Sequence, residues 1–338
     1  MKKILVIQTA FLGDAILTLP LIQKLKEANP DSEITALCIP STQDVFRNSQ
    51  AVKDVIVYDK RGIDKSPVSY LKLVLKVRAL KFNCVISPHR SIRSTLIAYL
   101  SGASETVGFN TADFSFLYKK QIEYRNDEHE VERNLSFVSE ASKDLNWRVL
   151  PEILSTDEAE QKIESLINDI PGREIIAVAP GSVWKTKVYP REYYEELIRM
   201  ILPFGYNIAL IGGKEDAELC EAIVKNVGQN IVSFAGKLSI VESVSFLKKC
   251  LAVVCNDSAP THLAMAADIP TLTIFCSTVA GFGFYPYNKA STYISFDELE
   301  CKPCGIHGHQ NCPIKTFDCA FKLKPEMVFE KLKQILPA

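Results

Sequence analysis

Short apolar runs alternate with longer amphipathic stretches along nearly the whole chain. Ile4–Ile7 precedes a stretch over Ala15–Ala28 in which Leu17, Leu21 and Leu25 recur at the spacing of one helix face. Ile34–Ile39, Val55–Tyr58 and Asn83–Ser87 are further strand-length runs, and Leu71, Val74 and Leu75 give Pro67–Leu80 helical spacing. The pattern restarts beyond a mixed polar stretch, Leu150–Gly172. There the expected strands are Ile175–Ala179, Ile208–Ile211, Ile231–Phe234, Ala252–Cys255 and Thr271–Phe275. The expected helices are Arg191–Leu202, Asp216–Val227, Ile240–Cys250 and Thr261–Ala267. Such alternation builds βαβ units on a parallel sheet. At 338 residues the chain exceeds one ordinary core. We therefore expect an α/β protein of two Rossmann-like, doubly wound domains, 1–155 and 156–338, hinged near 150–172 and sharing a cleft. Pro325–Leu336 reads as a terminal helix whose docking partner the sequence leaves open.

The formal net charge of −1 gives no general affinity for nucleic acid. Ile4–Ile7 is too short for a signal-peptide core, and no run approaches the roughly 18–20 apolar residues of a membrane span. These features place the chain in the cytoplasm, where thiols stay reduced. Six of its ten cysteines, Cys38, Cys84, Cys220, Cys250, Cys255 and Cys276, are scattered, most in apolar segments, and read as small buried hydrophobes. Cys301, Cys304, Cys312 and Cys319 instead crowd a loop, 301–319, that also holds His307 and His309. A structural zinc, or iron, disulfides and free thiols are the readings of that cluster.

In open α/β sheets ligands bind beyond the carboxyl ends of the strands. The loop after the first strand lacks G-x-G-x-x-G, which argues against a nicotinamide or flavin enzyme. Gly13 permits a tight turn there, and Asp14 opens the helix, either as a helix-capping acid or as a general base. The loop after the fourth strand offers Arg90, Arg93 and Ser94, suited to an anionic acceptor or to anionic lipid, or else an ordinary basic face. In the second half, Pro180-Gly181-Ser182 is followed by Trp184, Lys185 and Lys187, groups that can neutralise a departing nucleoside diphosphate. Asp257, Ser258 and His262 gather at a strand-to-helix junction, where free N–H groups favour anions. Gly212 and Glu215 follow another strand, where an acid can bind ribose hydroxyls or cap a helix.

Taken in order, these motifs resemble the ADP-heptose-dependent lipopolysaccharide heptosyltransferases of glycosyltransferase family 9, most closely the heptosyltransferase II branch. The resemblance rests on Lys3–Ile7 with Leu12-Gly13-Asp14, Ala179–Ser182 with Lys187–Pro190, Gly212-Gly213, and Asn256-Asp257-Ser258 with His262. It implies a GT-B fold and metal-independent, inverting transfer of heptose from ADP-heptose to the lipopolysaccharide inner core. It assigns the base to Asp14 and diphosphate stabilisation to Lys187. Donor contacts then fall on Gly13, Ser182, Lys185, Gly212, Glu215, Asp257, Ser258 and His262, and acceptor contacts on Arg90, Arg93 and Ser94. Ala259 departs from the glycine that often follows Asp-Ser. No cofactor is implied for catalysis, the cysteine cluster being structural, and membrane contact is expected to be peripheral at most. A GT-B sugar-nucleotide epimerase and a non-catalytic nucleotide-sugar-binding protein are the alternatives.

Overall fold

A computed structural model of the chain describes residues 2–138, 146–168, 170 and 174–336. The expected hinge at 150–172 lies partly outside the described residues. The chain divides into two compact units, Met1–Leu154 and Ser155–Ala338.

The first unit runs β1 (Lys3–Ile7), α1 (Leu12–Ala28), β2 (Glu33–Cys38), α2 (Gln43–Arg47), β3 (Asp54–Val57), α3 (Pro67–Ala79), β4 (Cys84–Ser87), α4 (Ile92–Leu100), β5 (Glu105–Phe109), β6 (Lys120–Ile122) and α5 (Glu130–Leu135). Its strands form one parallel sheet in the order β3-β2-β1-β4-β5-β6. Beyond Lys3, central β1 is an unbroken apolar run because helices cover both faces of such a sheet, and Ile4, Leu5, Val6 and Ile7 are buried. Ile4 pairs with Ile34 on one side and Cys84 on the other, which fixes the register. Helix α3 starts where Ser66 Oγ accepts the Ser69 N–H at 3.1 Å and Pro67 takes the first helical position.

The second unit runs α6 (Asp157–Asn168), β7 (Ile175–Ala179), α7 (Arg191–Ile201), β8 (Asn207–Leu210), α8 (Ala217–Val227), β9 (Ile231–Ser233), α9 (Ile240–Leu247), β10 (Ala252–Asn256), α10 (Ala259–Ala267), β11 (Thr271–Phe275), β12 (Thr292–Ser295), α11 (Asp318–Phe321) and α12 (Pro325–Lys333). Its sheet is again parallel, in the order β12-β11-β10-β7-β8-β9. Tyr194, Leu197, Ile198 and Ile201 put one face of α7 into the core at helical spacing. A reciprocal cap starts α9: Ser239 Oγ accepts the Glu242 N–H at 3.2 Å and Glu242 Oε2 accepts the Ser239 N–H at 2.7 Å. Helix α12 packs on α7, and Val328, Phe329 and Leu332 join the same core. Each fully buried aliphatic side chain of this kind is worth roughly 1.5–3 kcal/mol.

In both sheets the chain returns past its first strand, between β1 and β4 and between β7 and β10. These are the topological switch points, where the loops that follow the flanking strands diverge and leave a crevice. Among the described residues no helix is long and apolar enough to cross a membrane.

Candidate active site

At the first switch point, the loops after β1 and β4 are tied together. Thr9 Oγ1 lies 2.9 Å from His89 Nδ1, which also meets the hydroxyls of Ser94 at 2.8 Å and Ser91 at 3.2 Å. Burial, with Lys60 and Arg90 nearby, lowers the His89 pKa to about 4, so the ring is neutral at pH 7. Asp14 sits half-buried in the first turn of α1, where its backbone carbonyl accepts the Thr18 hydroxyl at 2.7 Å. Phe11 occupies the N-cap position, so Asp14 is a first-turn acid and not a cap. Lys60 donates to the Thr9 carbonyl at 2.6 Å, and Arg93 donates to the Tyr58 hydroxyl at 3.3 Å and the Lys60 carbonyl at 3.5 Å. These cations are held by neutral oxygens. Burial and the charges of Arg61 and Arg93 lower the Lys60 pKa, a local excess of positive charge that an anion would relieve. The Arg90 guanidinium stacks 4.0 Å over the Tyr124 ring.

At the second switch point, the loops after β7 and β10 meet through Asn256. Its Nδ2 donates to the Pro180 carbonyl at 2.8 Å, and its Oδ1 accepts the Tyr189 N–H and the Tyr194 hydroxyl, both at 3.0 Å. The next residue, Asp257, holds Lys187 Nζ at 2.7 Å and the Thr278 hydroxyl at 2.6 Å on the same carboxylate oxygen. The lysine and aspartate side chains are only 12% and 7% exposed, so solvent screens the pair little. Ser258 is the N-cap of α10, but its hydroxyl turns back to the Asn256 carbonyl at 3.3 Å and makes no capping bond. Pro260 has no N–H to offer and the Thr261 N–H donates to the Ser258 carbonyl at 3.1 Å, so what the start of α10 presents is the positive end of the helix dipole, with no side-chain cap. His262 is buried in the first turns of α10, with no hydrogen-bond partner for Nδ1 among the described residues. Burial drives its pKa to about 4, with Asp257 opposing and Lys187 adding to the fall, so the ring is neutral. A clamped ammonium, the positive end of a helix and an unsatisfied ring nitrogen thus gather at one switch point, groups that can each meet the oxygens of an anion.

The family model for glycosyltransferase family 9 (heptosyltransferase) matches residues 70–314. This chain belongs to glycosyltransferase family 9. Lipopolysaccharide heptosyltransferase 1 of Campylobacter coli is 24% identical over 296 residues, 82% of this chain and 84% of that protein. A family 9 glycosyl transferase structure from Veillonella parvula superposes with a TM-score of 0.87 at 21% identity, covering 99% of this chain and 97% of that one. The structure of the E. coli ADP-heptose lipopolysaccharide heptosyltransferase II gives a TM-score of 0.80 at 19% identity, covering 99% and 98%. The fold of this glycosyltransferase is therefore GT-B, with one Rossmann-like sheet in each unit.

Several residues singled out in the sequence have a different local role in this glycosyltransferase. Gly13 lies inside α1 and is not in the left-handed region, so it makes no tight turn; the helix begins one residue before it. Ser94 is buried and bonded to His89, which makes it a support of the loop. The Asp257 carboxylate commits one oxygen to Lys187 and the Thr278 hydroxyl, so it fixes the lysine. Arg93 is exposed and Arg90 half-buried, Lys185 and Glu215 are exposed, and Ser182 is half-buried at the end of β7. Gly212 borders Asp216, whose Oδ2 accepts the Gly213 N–H at 2.8 Å. A Cβ at Gly181 would come within 2.0 Å of Asp216 Oδ1, so a side chain there would displace that carboxylate from the Gly213 N–H.

The sequence reading gave Thr186, Thr278 and His309 no role. Thr186 Oγ1 accepts the His309 N–H at 2.8 Å, and the Thr186 N–H donates to the His309 carbonyl at 3.0 Å. The turn that carries Lys187 is thus laced to the cysteine-rich loop. Gly308, at φ +76°, lets that loop approach, since a Cβ there would sit 2.9 Å from Thr186 Oγ1. Cys304 N–H donates to the Ser277 carbonyl at 2.8 Å, and Lys302 Nζ to the Phe275 carbonyl at 3.0 Å. Cys301, Cys304, Cys312 and Cys319 line one hollow with His309, while the six scattered cysteines are buried and all ten are free thiols. As the side chains stand, the described His, Cys, Asp and Glu residues form no group of three or more able to hold a metal ion.

Proposed function

We propose that this glycosyltransferase moves heptose from ADP-heptose to the inner core of lipopolysaccharide, with inversion and without a metal in the chemical step. The observation that carries the reading is the donor-side anion receptor: Lys187 fixed 2.7 Å from Asp257, beside the uncapped start of α10 and the orphan Nδ1 of His262. Asp14 takes the proton from the acceptor hydroxyl as that oxygen attacks the anomeric carbon. The bond from that carbon to the β-phosphate oxygen breaks, and ADP leaves with the electron pair. Lys187 and the positive end of the α10 dipole stabilise the charge that develops on the diphosphate. Ser182, Ser258, Lys185, Gly212 and Glu215 complete the donor site. Lys60, Arg90 and Arg93 attract an anionic acceptor, and the reaction runs on the cytoplasmic side of the membrane with peripheral contact at most.

The test incubates the protein with ADP-heptose and a panel of truncated core oligosaccharides and reads the products by mass spectrometry. One added heptosyl unit is expected on one acceptor, in the presence of EDTA, and the acceptor that gains it separates the type I and type II activities. Conversion of the nucleotide sugar with no acceptor present would favour the epimerase instead.

The four clustered thiols suit a structural, tetrahedral zinc or iron if they turn toward one point in their common hollow. Elemental analysis of protein purified without chelator should then find close to one such ion per chain. Metal-free protein would leave the cluster as free thiols.

A further inference from the structure

Glu130 opens α5 with its carboxyl group buried. Helix α5 packs on α1, the helix that carries Asp14, and Asn134 Nδ2 donates to the Leu17 carbonyl of α1 at 3.1 Å. Among the described residues, four charged or titratable groups face Glu130. Arg133, on the same helix, donates from Nε to Glu130 Oε2 at 2.9 Å. The Tyr124 hydroxyl, from the segment after β6, lies 3.5 Å from the same oxygen. Asp14 acts on it from α1, and Arg90 from the loop after β4. Arg133 is itself fixed, reaching the Arg125 and Asn126 carbonyls at 3.3 Å and lying 4.8 Å over the Tyr124 ring. Burying a carboxylate and a guanidinium together is costly compared with an apolar pair of similar volume. The pair sits beside the helix turn that carries the proposed base.

We propose that Glu130 is a positioning residue for the transfer reaction: held by Arg133 on the helix packed against α1, its carboxylate sets the basicity of Asp14. The inference rests on the base role given to Asp14 above. Two neighbouring carboxylates repel each other, so each ionised group makes the other hold a proton more readily. An ionised Glu130 thereby strengthens Asp14 as a base and offsets the weakening effect of the α1 N-terminus. Burial raises the Glu130 pKa to about 7, the Asp14 charge adds to the rise, and Arg133 and Arg90 oppose it. Below that pH Glu130 gains a proton and its support of Asp14 is withdrawn. The kcat profile of the native enzyme should therefore carry a limb that rises through about pH 7.

The decisive experiment is a double-mutant cycle of Glu130→Gln and Asp14→Asn, with kcat, KM and pH profile measured for each protein. Glu130→Gln keeps the shape and removes the charge. It should lower kcat about tenfold, the effect of one pKa unit on a base, leave the KM for ADP-heptose unchanged and abolish the limb near neutrality. In the Asp14→Asn background the same change should have no further effect. Native kcat and pH profile in Glu130→Gln, or equal losses in both backgrounds, would overturn the inference. Full activity of Asp14→Asn alone would instead overturn the base reading. If Glu130→Gln does not fold, Glu130→Asp serves. It should keep the limb with reduced kcat, and a native rate and profile in that variant would equally overturn the inference.

Discussion

Asp14→Asn should lower kcat by about 10²–10⁴-fold, the usual contribution of a positioned general base, with the donor KM little changed. The substitution removes the charge and keeps the volume. Asp14 is half-buried in the first turn of α1, and Phe11, not Asp14, stands at the cap position. The fold loses a favourable first-turn charge, worth about 0.3–1 kcal/mol, while the amide keeps the side chain's volume and hydrogen-bonding atoms. A thermal melt close to that of the native protein, together with collapsed turnover in the ADP-heptose assay, separates a chemical role from a structural one. A variant that transfers heptose at the native rate would remove Asp14 from the mechanism.

Lys187→Met is expected to act twice. It removes the cation that neutralises the departing diphosphate, which should cost about 10²–10³ in kcat. It also strands the Asp257 carboxylate in a site that is only 7% exposed, which should destabilise the second unit by about 3–5 kcal/mol. Adding Asp257→Asn discriminates the two effects. The neutral amide no longer needs a counter-charge, so the double variant should regain much of the lost melting temperature but none of the lost rate. Recovery of rate along with stability would mean that Lys187 holds the fold and does not assist the leaving group.

The fold was largely legible because parallel strands covered on both faces are continuous apolar runs. Ile175–Ala179 and Thr271–Phe275 coincide with β7 and β11 residue for residue. The elements not anticipated lack that signal. In β6, Lys120 and Gln121 are exposed and only Ile122 is buried, and β12 is an edge strand of half-buried and exposed residues. Helix α4 buries Ser94, Thr95 and Ala98 among its larger residues, so its inward face is not apolar enough to read. Helix α1 begins at Leu12 because Gly13 and Asp14 are helical without contributing to the leucine periodicity.

The switch-point loops were found for a related reason: a strand that ends in Pro-Gly or Asn-Asp-Ser announces its own boundary. The partners inside those loops were not announced. Asp257 clamps Lys187 across 70 residues of sequence, and Thr186 meets His309 across 123. No local pattern encodes such pairs. Glu130 and Arg133 were closer to readable, since an acid three residues before an arginine is a helical ion-pair spacing. The segment around them is charged throughout, which hid one buried pair among exposed ones.

The docking of α12 on α7 has a consequence for how the polypeptide acquires its shape during synthesis. The first unit has every strand of its sheet once translation has passed Ile122, and the described members of its core cluster all precede that residue. The core of the second unit stays open until Val328, Phe329 and Leu332 arrive to close it. The first unit can thus settle while the ribosome is still at work, whereas the second must wait for translation to run through Leu332.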